Sequence, residues 1–262
     1  MKILAIGDIV GFAAAEFVKE NLWKIRDRLG ADFVAANGEN VCDIRGIGAS
    51  DAEGLLRAGV DVITSGNHIW GRSDIYPMLD DDPRVLRPAN YPPAAPGKGH
   101  TILDGGGLRV LCICVQGTVF LESLANPFLT VGKILDDEEG RYDIAIMDFH
   151  AEATSEKEAM GLCFDGRISA LWGTHTHVQT ADEKILPLGT GYITDLGMTG
   201  PEGGILGAKA EPVLKKFLTQ MPHRFSVADG RTILRGALFD VDEKSGKTLR
   251  VTRVCLSEEE LK

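Results

Sequence analysis

The chain has 262 residues, 44% of them hydrophobic and 25% charged, which suits one large α/β domain or two small ones with an ordinary soluble core. Thirty-eight acidic residues stand against 28 basic ones, a net charge of -10 that argues against broad, nonspecific binding to nucleic acid or to an anionic membrane. No run approaches the roughly 18 uninterrupted apolar residues of a membrane span, the N-terminus does not read as a signal peptide, and five cysteines without framework spacing read as reduced thiols of a cytoplasmic protein.

In chain order, a strand over Lys2–Ile6 runs into Gly7-Asp8. Ala13–Leu29 carries Phe17, Leu22, Ile25 and Leu29 on one stripe and is expected to be a helix. Asp32–Ala36 is a second strand and runs into Asn37-Gly38-Glu39-Asn40. Ser50-Asp51-Ala52-Glu53 has capping-box spacing and is expected to open a helix through Leu55 and Leu56. Asp61–Thr64 runs into Ser65-Gly66-Asn67-His68. Strands alternating with helices imply parallel pairing in this half.

Asp80–Pro96, rich in Pro and Asp, reads as an extended surface loop. His100–Val115 reads as two strands joined at Gly105-Gly106-Gly107, with Cys112 and Cys114 as small core residues. Ile144–Met147 runs into Asp148-Phe149-His150, and Ser155–Glu158 again has capping-box spacing ahead of a helix. Ile168–Trp172 runs into Gly173-Thr174-His175-Thr176-His177. Gly197–Gly207 is expected to be a glycine-rich loop, read as an ordinary one rather than a phosphate cradle. A helix through Val213, Phe217 and Leu218 follows, and period-two alternation over 233–241 and 249–254 around Ser245-Gly246 marks an antiparallel hairpin. Residues 1–262 are expected to form one domain, with a mixed sheet or two sheets packed together.

Five strand-like segments thus end in Asp, Glu, Asn or His. In a parallel sheet the carboxyl ends of the strands line one crevice. Asp8, Glu39, Asn40, Asn67, His150, His175 and His177 are therefore candidate ligands of one metal centre. Their chemistry suits Mn²⁺, Fe²⁺ or Zn²⁺, and seven donors exceed one tetrahedral ion, so two ions are expected. Four positive charges against Asp8, Glu39 and a bridging hydroxide leave a centre of about +1, which attracts a phosphodiester even on an acidic protein. Two ions about 3.5–4 Å apart clamp the attacking and leaving oxygens of an in-line displacement. His100 and His223 lack such partners and read as structural; Asp182 is expected either to orient an imidazole or to cap a turn.

Gly7-Asp8-Ile9-Val10-Gly11, Gly38-Glu39-Asn40, Ser65–Trp70, Arg87–Pro92, Asp148–Lys157 and Gly173–Asp182 resemble the YmdB-like branch of the calcineurin-type metallophosphoesterases, over nearly the whole chain. The resemblance implies an α/β fold in which two packed mixed β-sheets are flanked by helices. It assigns Asp8, Glu39, Asn40 and His177 to one ion. Glu39 bridges to the other, which Asn67, His150 and His175 also hold, and His68 is the general acid. It further implies iron or manganese, hydrolysis of phosphodiesters including 2′,3′-cyclic nucleotides, and a homo-oligomer. Val10 stands where the wider superfamily has His. Ala14 and Ala15, Gly71 and Thr118 stand where relatives carry Gly-Arg, Asp and Arg, so contacts to substrate phosphate are expected to differ.

The expected reaction is one-step attack by the metal-bridging hydroxide, with His68 protonating the leaving alkoxide. Two rivals remain. An amidohydrolase would carry His-x-His on an early strand, not a late one. A non-enzymatic regulator would keep the site to bind a nucleotide or RNA, although the net charge does not favour RNA.

Overall fold

A computed structural model describes residues 1–42 and 45–261. In chain order the elements are β1 (Lys2–Ile6), β2 (Asp8–Ile9), α1 (Phe12–Leu29), β3 (Phe33–Asn37), α2 (Ala49–Arg57), β4 (Val62–Thr64), α3 (Tyr76–Asp81), β5 (His100–Asp104), β6 (Arg109–Gln116), α4 (Pro127–Asp137), β7 (Ile144–His150), α5 (Thr154–Cys163), β8 (Ala170–Thr174), β9 (Lys184–Ile185), β10 (Gly191–Ile193), β11 (Met198–Pro201), α6 (Ala210–Thr219), β12 (Thr232–Val241) and β13 (Thr248–Ser257).

These strands build two sheets. One has the order β2-β11-β12-β1-β3-β4, with β13 also paired to β12; the other has the order β5-β6-β7-β8-β10-β9. β1, β3 and β4 run parallel, as do β6, β7, β8 and β10, while β12 lies antiparallel to β1 and β13, and β5 antiparallel to β6. Both sheets are therefore mixed.

Strand alternation sorts the apolar residues into three layers. Ile3, Ala5, Phe33, Ala35 and Val62 of the first sheet face Val110, Cys112, Cys114, Ile144, Ile146 and Trp172 of the second, with Phe239 among them. The rings of Trp172 and Phe239 meet at 5.7 Å across this interface. The opposite face of the first sheet, through Leu4, Ile6, Val34, Ala36 and Ile63, packs on Phe17, Val18, Leu22 and Ile25 of α1 and Leu55 of α2. The outer face of the second, through Leu111, Ile113, Met147 and Phe149, packs on Val131 and Leu135 of α4 and Met160 of α5. The result is an α/β-β/α sandwich in which the central strands are buried on both faces, which is why 33–36 of β3 and 144–147 of β7 read as continuous apolar runs. The five cysteines are free, and no helix among the described residues is long and apolar enough to cross a membrane.

Four local expectations are corrected. The segment 80–96 is not a surface loop throughout: Val85, Leu86, Arg87 and Asn90 are buried, and Val85 bridges to Ile63 of β4. α2 begins at Ala49, not after a Ser50 cap: Gly48 is its N-cap residue, without a side-chain cap, and Asp74 Oδ2 accepts the Ala49 N–H from a distant loop. α5 likewise begins at Thr154 behind Ala153, and Glu156 turns its carboxylate to the backbone N–H groups of Thr118 and Val119. The segment 197–207 is not all loop, because Met198–Pro201 pairs with β2 and β12.

Candidate metal centre

The carboxyl ends of the parallel strands of both sheets meet at one crest. Asp8 lies in β2, just past β1; Glu39 and Asn40 follow β3; Asn67 and His68 follow β4. These come from the first sheet, while His150 closes β7 and His175 and His177 follow β8 in the second. The His-x-His segment is not a continuation of β8. His175 and His177 both have positive φ, 93° and 63°, so the two rings reach the crest through a tight turn rather than by sharing one strand face.

All seven candidate ligands converge there. His150 Nε2 lies 3.1 Å from Glu39 Oε1, 3.2 Å from Asn67 Oδ1 and 3.1 Å from His175 Nδ1. On the other side, Asn40 Nδ2 lies 3.5 Å from Asp8 Oδ1, 3.4 Å from Glu39 Oε1 and 3.3 Å from His177 Nε2, and His177 Nε2 is 3.8 Å from Asp8 Oδ1. Glu39 Oε1 belongs to both groups. Gly66 permits the first: a Cβ there would stand 2.1 Å from the His150 ring.

The imidazoles are oriented from behind. His150 Nδ1–H donates at 2.9 Å to Thr174 Oγ1, which donates at 2.6 Å to Asp148 Oδ1. Asn37 Nδ2, at 3.0 Å, and Thr64 Oγ1 donate to the other oxygen of Asp148. His175 Nε2 is tied to Glu152 Oε2 at 3.1 Å, and His177 Nδ1–H donates to the Leu206 carbonyl at 3.1 Å. Each arrangement turns the remaining ring nitrogen towards the cluster. The His175–His177 turn is itself held by Asp195, which accepts from the Thr176 N–H and hydroxyl and from Gly197 N–H, and is paired at 2.7 Å with the buried Lys157.

This donor set fits cations. Asp8 and Glu39 are fully buried, and among the described residues neither has a lysine or arginine partner, only histidines. Buried carboxylates without cationic partners are costly. Burial opposes a charge on His150, but the charge and hydrogen bond of Glu39, with Asp8 and Asp148, outweigh it and push the ring up to about 9. Burial raises Glu39 too, yet His150 and His68 bring it down to about 2. The crest thus demands positive charge where the donors meet. Burial and the neighbouring His150 hold His175 down to about 3, so that ring stays neutral, as a ligand must be. Donors placed 2.0–2.2 Å from an ion stand roughly 3 Å apart, which matches the spacings around His150.

Sequence reasoning missed the supporting residues Asp148, Thr174, Thr64, Asn37, Glu152, Lys157 and Asp195. Asp148 left a trace: it stands two residues before His150, on the same strand face, inside an otherwise apolar run. Asp182 does not orient an imidazole; its carboxylate accepts from the Thr194 N–H and hydroxyl. His100 lies by Glu138, away from the crest. Ala14 and Ala15 are buried core residues of α1, and Thr118 N–H donates to Glu156.

A family model described as "YmdB-like protein" matches residues 4–254. The chain is 44% identical over 261 residues to a protein of Bacillus subtilis (strain 168) named 2′,3′-cyclic-nucleotide 2′-phosphodiesterase, covering 100% of this chain and 99% of that one. A crystal structure of a hypothetical protein from Thermus thermophilus superposes with a TM-score of 0.92 at 40% identity, over 98% of this chain and 100% of that one. The crystal structure of a phosphatase from Mycoplasma pneumoniae also reaches 0.92, at 31% identity, over 98% and 93%.

Proposed function

The chain belongs to the YmdB-like family, and from that membership we propose that it is a metal-dependent phosphodiesterase whose substrates include 2′,3′-cyclic nucleotides. The observation that carries the reading is the convergence of seven donor groups from both sheets on one crest, with Glu39 Oε1 common to two clusters. In this reading Asp8, Asn40, His177 and Glu39 hold one ion, and Asn67, His150, His175 and Glu39 the other. Iron or manganese matches the mixed Asp, Asn and His donor set. When bound, such ions offset charge on the phosphoryl oxygens and acidify water enough to serve as a nucleophile near neutral pH. A cytoplasmic setting and assembly as a homo-oligomer belong to the same proposal.

The chain's own contribution turns on Asn40 and His68. As placed, Asn40 Oδ1 accepts from His68 Nδ1–H at 2.7 Å and Nδ2 points into the cluster of acceptors. An amide nitrogen has no lone pair for an ion, so Asn40 ligates only after a half-turn of its amide. That half-turn presents Nδ2–H to His68 Nδ1, which must then be the acceptor, and the proton of the neutral ring moves to Nε2. Burial already disfavours the imidazolium form of His68, ahead of the opposing pull of Glu39. Fixed in this way through Nδ1, the ring turns Nε2 to the leaving oxygen and is placed to hand it a proton. The His68 side chain is 27% exposed, the most open of the four crest histidines, which suits the group nearest the leaving oxygen.

The test is turnover of bis-p-nitrophenyl phosphate and 2′,3′-cyclic AMP by protein loaded with Mn²⁺ or Fe²⁺, beside an Asn67→Ala control. Hydrolysis of both by the wild type, lost in the control, is expected. Absence of hydrolysis under either metal would overturn the enzyme reading in favour of a regulator that only binds nucleotide.

A further inference from the structure

One cavity is continuous with the crest. It encloses about 310 Å³ and is lined by Asn40, His68 and His177 of the candidate centre on one side. On the other side lie Leu206 from the turn before α6, Val213, Lys216 and Phe217 from α6, and Phe225 from the segment after it. The volume is at the lower end of the range of about 300–1,000 Å³ typical of small-molecule sites. Its far wall is apolar and aromatic, with Lys216 Nζ 5.3 Å from the centroid of the Phe225 ring. Leu206 connects the two halves directly, because its carbonyl accepts from His177 Nδ1–H.

Resting on the phosphodiesterase reading, we propose that this cavity is a nucleobase subsite, in which Phe225 and Phe217 take the base by stacking and van der Waals contact. The argument is one of continuity and chemistry. A phosphodiester held at the crest projects its alcohol substituent into the neighbouring space, and the space that His68 and His177 share is this cavity. A wall of two phenyl rings, Leu206 and Val213 offers the flat face of a heterocycle a surface that a purely polar ribose or glycerol would not use. Lys216 is the cation on the wall and complements an anionic ligand on a protein of net charge -10. Hydrophobic contact and stacking read no base edge, so the subsite prefers nucleotides over base-free phosphates without strong selection among bases. Phe217 and Phe225 are wall residues of the subsite and act on binding.

The test compares two phosphates that differ in the base: adenosine 3′-monophosphate and glycerol 2-phosphate, each titrated by calorimetry into the Mn²⁺-loaded full-length protein. The wild type is expected to bind the nucleotide at least tenfold more tightly. Phe225→Ala and Phe217→Ala should each weaken nucleotide binding by about tenfold, as expected when a base loses an aromatic partner. Phe225→Tyr should restore it, and with 2′,3′-cyclic AMP the alanine variants should raise KM far more than they lower kcat. Equal affinity of the wild type for the two phosphates, no measurable binding of the nucleotide, or an affinity ratio preserved in both alanine variants would each overturn the subsite. So would alanine variants that change the oligomeric state while leaving the ratio intact, since this wall would then be an interface between copies. Hydrolysis of 2′,3′-cyclic AMP by the wild type is read separately, so the phosphodiesterase reading and the subsite fail on different measurements.

Discussion

At the scale of single residues, the crest separates groups that hold ions from groups that set them. His68→Ala removes the proposed proton donor and no donor atom of either cluster. Turnover is expected to fall by about 10²–10⁴-fold with metal content unchanged by elemental analysis; loss of metal would instead make His68 a ligand. Thr174→Val keeps the shape of the side chain but removes the hydroxyl linking His150 Nδ1 to Asp148. Loss of such a backing hydrogen bond typically costs about 10–100-fold in metal affinity, measurable as a weaker Mn²⁺ dissociation constant. His150 also sets a pH dependence. Its ring is pushed up to about 9, so it is protonated at neutral pH without an ion, and an ion must displace that proton. Mn²⁺ affinity should therefore rise with pH from 6 up to about 9. Calorimetry at pH 7 in buffers of different ionisation enthalpy should detect about one proton released; a pH-independent affinity would contradict this.

At the scale of elements, strand and loop carry the site while the buried pair Lys157–Asp195 holds the loop in place. Lys157 leaves α5 to reach Asp195 after β10, and both side chains are 1% exposed. Lys157→Met leaves a buried carboxylate unpaired and should destabilise the protein by about 3–5 kcal/mol in urea titrations, loosening the His175–His177 turn. That contact was invisible in the sequence, because nothing local distinguishes Lys157 from the other charged residues of its helix. The strands, by contrast, were legible: runs such as 144–147 and 33–36 have to be apolar on both faces once the sheets are stacked. So was the meeting of Asp8, Glu39, Asn40, Asn67, His150, His175 and His177, since a polar residue just after such a run is carried to the shared crest. The capping boxes misled for a related reason. Ser50 and Ser155 carry the right spacing, yet both lie inside the first turn of their helices, behind Gly48 and Ala153 as the N-cap residues, and in α2 Asp74 takes the first turn's N–H from another segment. Tertiary partners displaced the local ones.

At the scale of the whole molecule, the centre is divided between the sheets: Asp8, Glu39, Asn40 and Asn67 from one, His150, His175 and His177 from the other. Metal binding and sheet packing are thus thermodynamically linked. Saturation of one site at 100 times its dissociation constant contributes about 2.7 kcal/mol, so the loss of each ion to a chelator should lower Tm by roughly 5–10 °C for a chain of this length. Scanning calorimetry of loaded and stripped protein reads the difference; identical Tm values would mean that ions do not bridge the halves. The division also makes catalysis a gauge of docking. Any slip of one sheet across the other, by even the width of a methyl group at Trp172 and Phe239, pulls three histidines away from two carboxylates. The enzyme would fall silent before it unfolded, so a damaged or half-assembled copy would not persist as a loose, unselective phosphoesterase.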